Sequence, residues 1–129
     1  MPIDVSVCDR EKLVHAICAG QVTKEELYQF QDSMWSAGQH AGYSCIFDML
    51  NADFCEIQYS HLLKYSRDAA MLDYGHPPSK LAVVVSTSRQ KILAEFYQAS
   101  VGLSAPTTRE MKIFYSLGEA KDWIELVSA

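Results

Sequence analysis

The chain has no apolar stretch long enough to cross a bilayer. Its longest uninterrupted aliphatic run is Leu81 to Val85, against the roughly 20 residues that a hydrocarbon core demands. Met1-Pro2-Ile3-Asp4 carries neither the basic nor the apolar region of a secretory signal, so a cytoplasmic location is the expectation. With only 6 Gly and 4 Pro in 129 residues, a collagenous or linker chain is excluded. The cysteines, Cys8, Cys18, Cys45 and Cys55, form no C-x-x-C pair and stand apart from the four histidines, so zinc-finger spacing is absent and no metal is expected. Cationic charge is also scarce. Eleven basic residues are scattered among 16 acidic ones, for a net charge of −5, which argues against a nucleic-acid-binding surface. No P-loop and no Gly-x-Ser-x-Gly elbow occurs, and no Ser-His-Asp or Cys-His arrangement is recognisable, so neither enzyme activity nor a cofactor is expected.

What is present is a 49% hydrophobic chain of a size that suits one domain, residues 1–129. Ile3, Val5 and Val7 alternate with polar residues, and Leu13 to Val22 alternates again with Val14, Ala16 and Cys18 on one face, which predicts an antiparallel hairpin across Asp9-Arg10-Glu11-Lys12. Thr23-Lys24-Glu25-Glu26 is a capping box that starts a helix whose inner face is Leu27, Phe30 and Met34, with Gly38 as its stop. Tyr43 to Leu50 predicts a short buried strand that ends in Asp48, and Ile57 to Gly75 has helical spacing through Leu62, Leu63, Ser66, Ala69 and Ala70. After Pro77-Pro78, Leu81 to Val85 predicts a strand covered on both faces. A helix capped by Ser86-Thr87-Ser88 follows, with Ile92, Leu93, Phe96, Ser100 and Leu103 inward, then a strand at Lys112 to Tyr115. Ser116-Leu-Gly-Glu119 caps a last helix built on Ala120, Trp123, Ile124 and Val127. The order β-β-α-β-α-β-α-β-α predicts an α/β domain: a five-stranded, mostly parallel sheet with an N-terminal antiparallel hairpin and four helices.

Four segments in this order carry a family resemblance: Gly20-x-Val22-Thr23-x-x-Glu26-Leu27, Ile46-Phe47-Asp48, Lys80-Leu-Ala-Val-Val-Val85, and Ile113-Phe114-x-x-Leu117-x-Glu119-Ala120-x-x-Trp123-Ile124. Together they resemble the SpoIIAA-like proteins of the STAS-like superfamily, named for sulfate transporters and anti-sigma-factor antagonists. The resemblance implies a five-stranded sheet with packed helices, a family whose members mostly lack an assigned activity, and a kinship in fold with lipid-carrying CRAL-TRIO domains. Anti-sigma-factor antagonists carry an Asp-Ser-Ser-Gly-Leu type motif whose serine is phosphorylated. On this resemblance Glu56-Ile57-Gln58-Tyr59 stands where that motif belongs, with Ile57 in place of the acceptor and Ser60 a turn further into the helix.

Ligands of open parallel sheets usually sit beyond the carboxyl ends of the strands. Those ends carry Asp48 and Asn51, and then Ser86, Thr87, Ser88 and Arg89, where free N–H groups, hydroxyls and a guanidinium at a helix start suit a phosphate or carboxylate. Plain helix capping and turn formation explain the same residues. His61, Lys64 and Arg67 read as a solvated face, and His15 as a satisfied structural residue. Aromatic and Met side chains at helical spacing fill a core or line an apolar pocket, and Trp35 and Tyr97, beside the main stripes, are the candidates for a groove or a subunit contact. The expectation is a non-enzymatic binding or regulatory module for a small apolar or anionic ligand, a protein partner, or both, with a homodimer possible. The alternative is a small enzyme or phosphate-ester-binding protein that uses Ser86 to Arg89 as an anion site.

Overall fold

The computed structural model describes residues 2–36, 40, 42–73, 77–104 and 109–125. Strands β1 (Ile3–Cys8) and β2 (Leu13–Gln21) are followed by α1 (Lys24–Gln31) and a π-helical turn, Asp32–Ser36. Then come β3 (Ser44–Asp53), α2 (Tyr59–Asp73), β4 (Ser79–Val84), α3 (Ser88–Ser104), β5 (Arg109–Phe114) and α4 (Leu117–Glu125). The five strands lie in sequence order, β1-β2-β3-β4-β5; β1 pairs with β2 antiparallel and every later pair is parallel. The predicted architecture is therefore present.

Sequential order has a geometric consequence. Each β-α-β crossover steps in the same direction along the sheet, and crossovers of one hand then place their helices on one face. The packing agrees. Val14, Ala16, Cys18, Cys45, Met49 and Val83 face α1, α2 and α3, whereas Ile46, Ala82, Val84 and Phe114 face α4. One face thus carries three helices and the other a single helix of 9 residues, which leaves Ile17 of β2 38% exposed on the α4 side.

Local chemistry matches the reading at the caps. The Thr23 hydroxyl accepts from Glu26 N at 3.3 Å and the Glu26 carboxylate accepts from Thr23 N at 2.9 Å. Ser116 accepts from Glu119 N at 3.2 Å. Leu27 and Phe30 are buried as their spacing requires. Gly38, Gly75 and Val127 lie outside the described residues.

Three expectations are corrected. Strand β3 does not end at Asp48 but runs on to Asp53. Its register with β2 slips between Ile17 and Ala19, and Asp48 Oδ1 supplies Leu50 N with an acceptor at 2.9 Å, so a polar residue bridges an irregularity instead of ending the strand. Helix α2 starts at Tyr59, which puts Ser60 in its first turn, exposed, and not a turn further inside. On α3 the expected stripe holds at Leu93 and Ser100, which are buried, and at Phe96, which packs against the core, but not at Ile92 and Leu103, which are 50% and 88% exposed; Gln90 and Ala94 are buried instead.

The Thr23→Ala variant removes the reciprocal cap of α1 and is expected to lose about 1 kcal/mol of stability, read as a lower midpoint in urea denaturation with an unchanged m-value.

Candidate functional site

The carboxyl ends of the strands are occupied by the protein itself. Strand β3 outruns β4, whose last pairing is Asp48 with Val84, so the carbonyls of Met49, Leu50 and Ala52 extend past their neighbour. Gln90 answers them from the first turn of α3. Its Nε2 donates to Met49 O at 2.8 Å and Ala52 O at 2.9 Å, while its Oε1 accepts from Ser86 N at 2.7 Å and Thr87 N at 3.4 Å. Thr87 Oγ1 accepts from Gln90 N at 3.1 Å, which completes a capping box, and Ser86 Oγ donates to Leu50 O at 3.1 Å. Arg89 Nη2 donates to the carbonyls of Phe54, Cys55 and Ile57 at 3.1 to 3.4 Å. The N–H groups of Ser86 and Thr87 and the Arg89 guanidinium are thus engaged within the chain. Ser88 is exposed at the helix start and Asn51 is exposed near the end of β3. The Thr-x-x-Gln pattern that binds Gln90 here is legible in the sequence, and the reading above passed over it.

Asp48 is 7% exposed and alternates to the α4 side, away from the three-helix face. His15 lies on the same side of β2. Burial holds its imidazole below the usual histidine range against the opposing pull of Asp48, and its buried Nε2 has no hydrogen-bond partner among the described residues, so it is not the satisfied histidine expected. His61 Nδ1 accepts from Gln58 N at 3.1 Å at the start of α2, and Lys64 pairs with Asp68 at 2.8 Å on the surface, a solvated face as read. Among the described residues no group of His, Cys, Asp and Glu is placed to hold a metal ion, and no helix is long and apolar enough to cross a membrane.

The open space lies elsewhere. Between the sheet and α1, α2 and α3 is a cavity of about 100 Å³. Its deep end is formed by Met49 of β3, Phe54 and Ile57 of the segment that joins β3 to α2, Leu62 of α2 and Leu93 of α3, all under 9% exposed. Lining residues that keep some exposure, Trp35, Ala69, Leu72, Tyr97 and Arg109, gather toward the amino ends of β4 and β5, so the cavity opens there. Ala69 of α2 and Ala94 of α3 contribute small side chains to this lining. Trp35 and Tyr97, the two residues singled out from the sequence, come together on this one lining. Trp35 is presented by the π-turn that follows α1, a backbone irregularity frequent at functional sites.

Arg109, at the start of β5, was not expected as a site residue. No sequence signal marks it, since the predicted strand began only at Lys112. Its guanidinium carbon lies 4.4 Å from the Trp35 ring centroid, and its Nη2 donates to Tyr43 O at 3.3 Å. Tyr97 packs edge-on against Tyr65 with ring centroids 5.6 Å apart. Burial pushes the Tyr65 phenol well above its ordinary value, with Tyr97 adding to the effect and Arg109 opposing it. Burial likewise pushes the Cys45 thiol up to about 12 despite the pull of Arg109. Cys18 is raised too, chiefly by burial and then by Asp48. These groups are protonated at neutral pH and are poor nucleophiles.

Two outcomes follow. Gln90→Leu strips partners from four backbone groups at once and is expected to cost about 3 kcal/mol in urea denaturation. In thiol titration at pH 8, Cys8 and Cys55, both exposed, are expected to react in the native protein, whereas Cys18 and Cys45 react only after unfolding. Cys55 is expected to be slowed by its hydrogen bond to Asp53, which raises its pKa.

Neither a protein-family model nor a curated protein matches the chain. Among solved structures, the chain is similar to an uncharacterized protein from the DUF3478 family with a SpoIIAA-like fold, from Shewanella loihica PV-4. The two are 16% identical, the match covers 95% of this chain and 91% of that one, and the TM-score is 0.57. At that identity the likeness speaks for architecture alone, and it agrees with the strand order and helix placement described above: the chain has a SpoIIAA-like fold.

Proposed function

We propose that the protein is a non-enzymatic binding module whose cavity takes up a small apolar ligand. The observation that carries this reading is the void itself. Protein interiors pack as densely as organic crystals, and leaving about 100 Å³ unfilled costs on the order of 2 kcal/mol at the penalty measured for cavities in a protein core. A cost of that size, placed under three helices and reached from one end, is what a site for a guest requires. The lining is dominated by aliphatic, aromatic and methionine side chains, and Met49 and Met111 add adaptable surface. The volume bounds the guest. An engineered apolar cavity of about 150 Å³ takes benzene, and this smaller one therefore limits the guest to no more than a single six-membered ring. The raised Cys45 and Tyr65 pKa values support binding over covalent turnover.

Methyl-labelled methionine provides the test, with benzene as the probe in NMR titration. The Met49 and Met111 signals are expected to shift on titration while Met71, 77% exposed on α2, stays in place. Ala94→Leu fills the space, so it is expected to raise the urea midpoint and abolish those shifts. No shift at saturating benzene, or equal shifts at all methionines, overturns the reading.

A further inference from the structure

Helix α2 brings a hydroxyl to the cavity. Tyr65 is on the lining, and its backbone is held from α1: Gln31, 5% exposed, donates from Nε2 to Tyr65 O at 2.9 Å. Its ring is held from α3, inclined at 64° to Tyr97 with centroids 5.6 Å apart. Burial is the largest influence on the phenol, followed by Tyr97 and Cys45, with Arg109 opposing, and all three of these residues belong to the same lining. The hydroxyl therefore lies inside the protein, near the amino end of β3. It stays protonated through the neutral range, so it is a donor. Among the described residues no hydrogen bond takes up that proton, since the bond from Gln31 ends on the Tyr65 carbonyl and Tyr97 meets the ring. A buried tyrosine hydroxyl usually has a partner, and one without carries a desolvation penalty.

From this geometry we infer that the ligand is a small neutral carbonyl compound, whose oxygen accepts a hydrogen bond from the Tyr65 hydroxyl and whose apolar body fills the deep end of the cavity. The inference rests on the cavity-binding reading above and adds the polar contact. Each class of guest meets the site differently. A hydrocarbon fills the space among Met49, Phe54 and Leu93 and closes it over an unbonded hydroxyl. An alcohol supplies an acceptor but brings a proton that must find its own partner on a mostly apolar lining. A carbonyl oxygen supplies the acceptor and nothing that needs a further partner. Gln31 holds the backbone and Tyr97 the ring before any guest arrives, which lowers the ordering cost of that bond. The cavity volume of about 100 Å³ holds the guest, carbonyl included, to about the size of benzene.

Cyclopentanone and cyclopentane share one ring and differ in the oxygen. Their affinities for wild type and Tyr65→Phe, read from the Met49 and Met111 methyl signals, isolate the contact as a double-mutant cycle does. Tyr65→Phe is expected to weaken cyclopentanone about fivefold or more, the loss of one hydrogen bond, and to leave cyclopentane within about twofold. A loss for cyclopentanone no larger than that for cyclopentane overturns the inference. Tyr97→Phe removes the other phenol hydroxyl of the lining and is expected to leave the ratio of the two affinities within about twofold of wild type. A ratio that falls as far as in Tyr65→Phe overturns the assignment to Tyr65. One readout needs no variant. In wild-type protein labelled at tyrosine Cζ, the Tyr65 signal is expected to move with cyclopentanone and stay in place with cyclopentane. Equal movement with both overturns the inference even if Tyr65→Phe fails to fold. If benzene shifts Met49 and Met111 and cyclopentanone does not, the cavity reading stands and this inference alone fails. If none of the three compounds shifts them, the cavity reading fails and this inference falls with it.

Discussion

The direction in which the chain crosses its own sheet governs everything else in the molecule. Strands added in sequence order by crossovers of one hand put α1, α2 and α3 on a single face, and only the helix after the last strand is free to cover the other. The crowded face must seat three helices on a twisted five-stranded surface. A cavity remains where α2 and α3 meet the sheet, and Ala69 and Ala94 are part of its lining. The opposite face, under α4 alone, is a simpler core of Ile46, Ala82, Val84, Phe114 and Ala120, with the Trp123 ring tilted against Phe114 at a centroid distance of 5.6 Å.

A second constraint seals one end. Because β3 extends beyond β4, its last carbonyls would be left without partners, which a partly buried backbone does not tolerate. Gln90 resolves this with one carboxamide that donates twice and accepts from Ser86 and Thr87. Arg89 does the same for the loop from Phe54 to Ile57. These bonds turn the carboxyl end, the usual ligand position in open parallel sheets, into a closed edge. On the same helix Ala94 and Tyr97 line the cavity while Ile92 and Leu103 face solvent.

Much of the fold was legible because it is written in short-range chemistry. The alternation in Leu13 to Val22, the Thr23 and Ser116 caps and the apolar run from Leu81 each concern residues within a few positions, and each element formed as read. The errors arose where polarity was taken as a boundary. Asp48 was read as the end of a strand that in fact continues, because its carboxylate repairs a slipped register. The α3 stripe, drawn through Ile92, Leu93, Phe96, Ser100 and Leu103, fails at Ile92 and Leu103, which are exposed, while Gln90, with four backbone partners, is buried. Trp35 and Tyr97 were noticed because they sit off the main stripes, whereas Arg109 drew no notice, since nothing adjacent to it in sequence distinguishes it from any surface arginine.

By itself, then, the sequence determined the class of fold, the number and order of strands and helices, the reciprocal Thr23–Glu26 cap, the Ser116 cap and the burial of Cys18 and Cys45. All of these depend on periodicity and on side chains that bond to their own neighbourhood. Only the tertiary structure decided that the carboxyl edge is closed, that the three-helix face is left underfilled, and that Trp35, Tyr97 and Arg109 share one lining. Packing volume and the orientation of a guanidinium are set by residues far apart in the chain, and no local pattern encodes their meeting.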